Sequence, residues 1–555
     1  MAVLPDKQRA VQLVGPDKLV FTDSKPVSGP GAHQLLCKVE AVGLCFSDLK
    51  LLKQFSKHVR KGPVVAGIEQ AVLDQIPSYV PGELPAVPGH EAVVSVVAVG
   101  NEAGNFEPGQ RFLVQTDYRW LPTAGANAAF GYNFEGALQE YVLMDTRVVT
   151  SPEGESMLLG VSEHLSASAV AMVEPWACVE DAYACPQRHN LKDGGRLLIA
   201  ADIEPTREAL SELLADHHRP GEITWVSPFS PPDALAGGVI RAADLGELAE
   251  AAFDDVVYFG SDAGKVEMLF GKVAAGGLVN ITLCGGRLDG DVAAMIGRVH
   301  YGQVRIVGTT GHRPAASLQH IPETGEIRAC DRIHVIGAGG PMGMMHVIRS
   351  ICHGTEGVGV VAGDLDRARL NNLSRIAAPL AEKEGIAYSA YDTAGGHAAD
   401  SFDYTILMVP APELVGRAVH SAARGGVINI FAGIPATVTA KIDLNAYIEK
   451  QLYFVGTSGS VLEDMKRVLS RLERGSLDTN VCVAAVCGLE GAVEGIRAVE
   501  ERRVSGKIVV YPACKGLPLT QLNELEEQIP EFAGSMPGGV WTGRAEEILL
   551  GAYQR

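Results

Sequence analysis

A stretch of sequence that occurs twice constrains this chain more than any other feature. FDDVVYFGSDAGKVEMLFGKVAAGGLVNITLCGG (253–286) is matched by FDYTILMVPAPELVGRAVHSAARGGVINIFAGI (402–434). The first copy continues to YGQVRIVGTTG (301–311) and the second to EKQLYFVGTSG (449–459). Gly276-Gly277 and Gly425-Gly426 are 149 residues apart, and Gly308 and Gly456 are 148 apart. Two unrelated strand–helix units would not hold an offset to one residue over the whole stretch, whereas a duplication would. Each copy alternates strand runs buried on both faces (RLLIAA, DDVVYFG and GLVNITL; RIHVIGA, GVGVVAGD and GVINIFAG) with helical patches. Strands that alternate with helices form parallel sheets. Two doubly wound α/β domains in tandem are therefore expected, over 190–325 and 328–500.

Ahead of the repeat, residues 1 to 150 read as β-rich. Alternating runs such as QLLCKVEAVG (34–43) and EAVVSVVAVG (91–100) are separated by Gly, Pro and Asp turns. The length of 555 residues suits several domains, and with 47% hydrophobic and 20% charged residues the chain can bury real cores. The formal net charge of −19 argues against nucleic-acid and anionic-membrane partners, both of which reward basic patches. Apolar runs are short and interrupted, and the N-terminal segment lacks the apolar core of a signal peptide. Ten cysteines at uneven spacing show no paired framework. Together these features predict a cytoplasmic protein with reduced thiols.

The copies differ at their openings. The second begins RIHVIGAGGPMGMMHVIRSI (332–351), a strand running through glycines into a helix, and Asp364 ends its next strand. A dinucleotide pyrophosphate approaches the backbone at such a helix N-terminus, where N–H groups favour anions and a Cβ would hold the phosphate away. Gly337, Gly339, Gly340 and Gly343 supply the turn. It reads either as Ala338-x-Gly340-x-x-Gly343 or as Gly337 and Gly339 with a longer turn. Asp364 would accept from ribose hydroxyls and repel a 2′-phosphate, which favours NAD over NADP. Pro341, Met342, Arg369 and Thr457 complete the expected cofactor-side set. The first copy opens RLLIAADIEPTREALSELLADH (196–217). Asp202, Glu204 and Pro205 stand where phosphate would go, so no dinucleotide is expected there.

Three segments in the N-terminal part carry candidate metal ligands: VGLCFSDLK (Cys45, Ser47, Asp48), VPGHEAVV (His90, Glu91) and MVEPWACVEDAY (Glu174, Cys178). A thiolate, an imidazole and a carboxylate make a mixed set that suits zinc and leaves a position for substrate. Such a zinc polarises a hydroxyl and stabilises the developing alkoxide as hydride leaves. Ser47 could carry the alcohol proton outward. Each residue has a plainer reading, with Cys45 as a buried apolar side chain, His90 as a loop histidine and Glu174-Pro175 as a helix start. Their combination and order are what is specific.

G-x-C-x-S-D, then P-G-H-E, then E-P, then a glycine-turn cofactor domain resembles the medium-chain dehydrogenase/reductase family, closest to its polyol and sugar dehydrogenases of sorbitol and sorbose-phosphate type. That resemblance implies a GroES-like β-barrel catalytic domain (1–189), a degenerate Rossmann-like domain, an NAD-binding Rossmann domain, and a return segment with a helical tail (501–555) packing on the catalytic domain. It implies one catalytic Zn2+ held by Cys45 and His90, with Glu91 and Glu174 sharing the remaining carboxylate roles, and Cys178 packing. The implied activity is hydride transfer between NAD(H) and a secondary alcohol or ketone of a polyol, sugar or sugar phosphate. Alternatives that keep much of this machinery are an NAD-retaining lyase or epimerase and a redox sensor. Arg119, Arg298 and His300 could meet substrate hydroxyls or phosphate, although such residues are more often structural. The chain departs from the family in three ways. No cysteine lies between 46 and 177, the Cys45–His90 interval carries an extra segment (53–87), and the cofactor domain is doubled. Family members pair cofactor domains between subunits, so a homo-oligomer is one expectation and replacement of that pairing by the first copy is another.

Overall fold

The computed structural model describes residues 4–214, 219–232, 235, 238–395 and 401–553. The chain divides into two compact units: Met1–Cys178 with Ser460–Arg555, and Val179–Gly459. The domain breaks expected after 189 and 500 thus fall after Cys178 and Gly459. The reason is the helix Leu462–Glu473, whose Leu462, Met465, Val468, Leu469 and Leu472 form an apolar stripe. Together with the strand Val483–Cys487 it belongs to the first unit, so the return begins well before 501.

The first unit is built on an eight-stranded mixed sheet with two-stranded ribbons beside it. Gln34–Leu44 is its central strand and pairs antiparallel with Glu91–Val99, Tyr141–Asp145 and Lys507–Val510. Strand pairing therefore brings the segment after Gly43 beside the start of Glu91–Val99 and the start of Lys507–Val510, three places far apart in sequence. The C-terminal tail fixes a fourth. The buried Glu546 carboxylate accepts from the backbone N–H of Ala167 (2.5 Å) and Ser168 (2.7 Å) and from the Tyr511 hydroxyl (2.9 Å). A carboxylate at orphan N–H groups of a helix start is stabilising. It pins the helix Ala167–Ala171, which leads into the helix Val173–Ala184 carrying Glu174. Among the described residues, no helix is long and apolar enough to cross a membrane.

The second unit holds two six-stranded parallel sheets of identical order. In one the order is Val239–Arg241, Glu222–Val226, Arg196–Ala201, Phe253–Phe259, Val273–Thr282, Arg305–Thr309. In the other it is Ala387–Asp392, Gly359–Asp364, Arg332–Ile336, Phe402–Leu407, Ala422–Ile430, Tyr453–Val455. The irregularities repeat as well: register slips after Phe253 in one sheet and after Phe402 in the other. Gly276 and Gly425 sit at φ 70° and 72°, where a side chain would be strained. Their N–H groups donate to the carbonyls of Gly302 (2.6 Å) and Lys450 (2.7 Å).

A seam joins the two sheets. Val292–Ala294 pairs antiparallel with Ala440–Ile442, so that Ala293 faces Lys441. Across the same seam a Cβ at Gly308 would strike Ile448, and one at Gly456 would strike the backbone of His300. The Tyr447 hydroxyl donates to the Ile306 carbonyl (2.8 Å), and Arg305 donates to the Gly456 carbonyl (3.1 Å). One apolar core draws side chains from both sheets.

Candidate active site

Cys45 caps the helix Phe46–Gln54, and its own N–H donates to Asp48 Oδ2 at 3.0 Å. The other oxygen, Oδ1, accepts from His90 Nδ1 at 3.1 Å. Asp48 thus sets the imidazole tautomer and leaves Nε2 facing Ser47 Oγ at 3.1 Å. Burial disfavours a charged imidazolium here, but the Asp48 carboxylate more than offsets it and holds His90 well above the ordinary histidine value. A cation at Nε2 would compete for the place of that proton.

Ligand atoms of Cys45, His90 and Glu91 lie within 4.8 Å of one another. Glu91 is fully buried, and a Cβ at Gly43 would fall 2.1 Å from its Oε2, so glycine is what admits the carboxylate. Oε1 accepts from Lys507 Nζ at 2.5 Å, while Oε2 is buried without a hydrogen-bond partner. An orphaned carboxylate oxygen beside a thiol and an imidazole is what a divalent ion of zinc type would satisfy, so the residues fit that group.

Glu174 lies outside this tight trio but within electrostatic reach of it. Burial, with Glu91 adding and His90 and Lys507 opposing, pushes its carboxyl up to about 7. The Cys178 thiol, which burial and then Glu174 push well above the ordinary thiol value, donates to Glu174 Oε1 at 3.9 Å. Cys178 is therefore polar company for Glu174 rather than simple packing.

Sequence reasoning missed Lys507, Tyr132, Asp117 and Arg60. Lys507 carried a readable signal, because a lysine opening the all-buried strand KIVV needs a buried partner. The residues suggested for substrate contact are otherwise employed. Arg298 donates to the Phe270 carbonyl (2.8 Å) and to that of Val273, Arg119 donates to the Ser460 carbonyl (2.8 Å), and His300 is buried at the seam.

In the second unit the glycine turn joins Arg332–Ile336 to the helix Pro341–Cys352, with Gly340 at the N-cap and no side chain capping it. Gly337 adopts φ 85°. A Cβ at Gly343 would lie 2.3 Å from the Gly337 carbonyl oxygen, so helix and turn can touch only through glycine. Gly339 is backed by Asp364 and by Arg369 Cβ, whereas a Cβ on Gly340 would meet nothing nearer than 3.9 Å. Gly340 is thus the open position of the turn. Asp364 accepts from the N–H of Gly339 (2.8 Å) and of Asp366 (2.9 Å). Pro341 and Met342 form the first turn of the helix, and Thr457 is buried with its hydroxyl lacking a partner.

Residues 31–153 match the alcohol dehydrogenase GroES-like domain. Over that segment the chain is similar to the alcohol dehydrogenases. The GroES-like match contains Cys45, Ser47, Asp48, His90 and Glu91. L-sorbose 1-phosphate reductase of Klebsiella pneumoniae is 29% identical over 254 residues, covering 43% of this chain and 58% of that protein. The uncharacterized protein YggP of Escherichia coli is 27% identical over 244 residues, covering 40% and 56%. The chain thus spans little more than half the length of these relatives. In fold it resembles the 2R,3R-butanediol dehydrogenase of Bacillus subtilis, with a TM-score of 0.52 at 14% identity over 91% of this chain and 99% of that one.

Proposed function

We propose that the chain is a zinc-dependent oxidoreductase that moves hydride between NAD(H) and a secondary alcohol or ketone of a polyol, sugar or sugar phosphate. The observation that carries this reading is the partnerless Glu91 Oε2 beside the Cys45 thiol and the His90 imidazole. Zinc held by Cys45 and His90, with Glu91 or Glu174 completing the set, would supply Lewis acidity, and NAD would supply the hydride acceptor. Around them the chain's own residues have separate tasks. Asp48 orients His90, and Lys507 holds Glu91 through one oxygen. Ser47, which gives up its contact with His90 Nε2 when a metal takes that nitrogen and keeps its hydrogen bond with Tyr132, would take the hydroxyl proton outward. Glu174, with its carboxyl near 7, can hold or release a proton close to neutral pH. Gly337, Gly339, Gly340 and Gly343 seat the pyrophosphate, Asp364 and Arg369 border the ribose, and Pro341, Met342 and Thr457 line the remaining cofactor side.

The test is metal analysis beside turnover. Wild-type protein should hold about one zinc per chain and reduce NAD with a polyol. Cys45→Ser should lose the metal and at least ~100-fold of turnover, a loss of roughly 2.7 kcal/mol. Unchanged turnover and zinc content in that variant would refute the assignment.

The finer architecture belongs to the same reading: a GroES-like barrel, then a duplicated Rossmann domain whose degenerate first copy occupies the seam that another subunit would otherwise fill. Its support is the shared strand order, the shared register slip and the reciprocal packing of Gly308 and Gly456. Light scattering should then find no dimer made through Arg305–Thr309 or Tyr453–Val455.

A further inference from the structure

The segment inserted between Cys45 and His90 is folded, and its fold aims one cation at the metal cluster. The buried Lys61 donates to the carbonyls of Val80 and Leu84 (2.9 Å to the latter). Asn133 donates to the Gly62 carbonyl (3.0 Å), and Thr123 Oγ1 to that of Val59 (2.8 Å). Between these anchors the Arg60 N–H donates to His58 Nδ1 (3.2 Å). The backbone on both sides of Arg60 is thus tied down, which lowers the entropy lost when its side chain engages a ligand.

From there the Arg60 guanidinium reaches Asp117, with Nη1 2.6 Å from Oδ1, and lies 5.5 Å from the centre of the Tyr132 ring. Tyr132 is buried, its ring centre is 5.8 Å from that of His90, and it hydrogen-bonds Ser47. Glu174 and Cys178 both act electrostatically on Arg60, and Asp117 acts on Glu174. The Arg60 side chain keeps 28% of its exposure and Asp117 keeps 10%, so the pair is reachable rather than sealed. A guanidinium carries five donors in a planar fork, and one carboxylate does not use them all.

We infer that Arg60 and Asp117 form the substrate-selecting face of this site, and that the substrate they fit is an uncharged polyol with a hydroxyl next to the reacting carbinol. This rests on the oxidoreductase reading and names its substrate class. The pair offers donors and acceptors side by side, which is the pattern of a vicinal diol. It is poorly matched to an anion: the one guanidinium is already compensated by Asp117, and the Glu174 carboxyl stands beside it. Beside this pair a phosphate would meet the Asp117 and Glu174 carboxyls, with the one guanidinium there already paired. A buried site built to bond a hydroxyl also discriminates strongly against analogues that lack it.

Three compounds share a secondary carbinol and separate the cases: glycerol, propan-2-ol and sn-glycerol 3-phosphate. Wild-type kcat/KM for glycerol should exceed that for propan-2-ol by about 100-fold or more and should exceed that for the phosphate ester. In Arg60→Ala, and in Asp117→Asn, the glycerol-to-propan-2-ol ratio should collapse to below about 10, mainly through KM. Arg60→Lys should restore part of it. Binding is read apart from turnover by the melting-temperature rise that xylitol gives the protein as purified, which Arg60→Ala should abolish. A preference that survives in Arg60→Ala and Asp117→Asn, better use of the phosphate ester, or a xylitol shift that is absent in wild type or unchanged in the variant overturns the inference. Absence of zinc together with no NAD reduction on any alcohol instead overturns the oxidoreductase reading, while the xylitol shift still decides the role of Arg60.

Discussion

The two sheets of the second unit share one strand order but open in opposite ways. In the second sheet the first strand turns through Gly337, Gly339 and Gly340 into a helix of twelve residues, Pro341–Cys352, that no side chain caps. In the first sheet the corresponding helix, Arg207–Leu213, has seven residues, and the Thr206 hydroxyl already accepts from the Ala209 N–H of its first turn (3.1 Å). The approach is further occupied by Asp202, which accepts from the Tyr258 hydroxyl (2.6 Å) and pairs with Lys265. The second helix is almost wholly buried, whereas the first buries only Ala209, Leu210 and Leu213. Topology alone therefore does not make an anion site. An uncapped helix start reached over glycine can receive phosphate, and a capped start with a carboxylate in front of it cannot.

The sharpest way to break this contrast is to add a Cβ where the second turn has none. Gly343→Ala places a methyl 2.3 Å from the Gly337 carbonyl oxygen. It should weaken NADH binding, followed by fluorescence, by about 100-fold, or roughly 2.7 kcal/mol. An unchanged dissociation constant would mean that the cofactor does not sit there.

Acid should act next, through His346 on the second helix. Burial, aided by Arg349, lowers this imidazole to about 3, so it is neutral in the folded protein. The unfolded chain takes up its proton below the ordinary value of 6.5, and the folded chain does not until about 3. Stability from this group is therefore full above 6.5 and is lost as pH falls toward 3, by at most about 1.4 kcal/mol per unit. Replacement by Gln should flatten that part of the pH-dependence of chemical denaturation. As far into the first helix stands Glu212, half-buried and paired with Arg313, which lowers its carboxyl; its removal should take only a small part of the acid limb away. The smallest effect belongs to the first turn: Thr206→Ala should cost about 1 kcal/mol of stability and leave NADH affinity untouched. A loss of affinity in that variant would place the cofactor on the wrong sheet.

Much of this contrast is legible in the amino-acid sequence. The repeat can be read because identical spacing of glycines is a backbone requirement, and Gly276 and Gly425 share one left-handed conformation. The trio Cys45, His90 and Glu91 can be read because each stands in a tight local motif. What the sequence hides is long-range pairing. Lys507 meets Glu91 across 416 positions, and nothing near either residue names the other. Arg60 lies inside an insertion with no periodicity to read, and Asp117 only in a β-ribbon beyond it. The break after Gly459 is hidden because an amphipathic helix such as Leu462–Glu473 declares that it packs without declaring on what.

The seam at Val292–Ala294 and Ala440–Ile442 has a consequence for how such a molecule behaves on dilution. Two separate chains meeting along these edges would part at low concentration, since their association pays for lost translational freedom each time. Here one polypeptide holds both partners, and their encounter is intramolecular at any protein concentration. Each half can also change alone: a residue can differ on one side of the seam, as Gly337, Gly339 and Gly340 differ from Asp202, Glu204 and Pro205, without a matching change on the other.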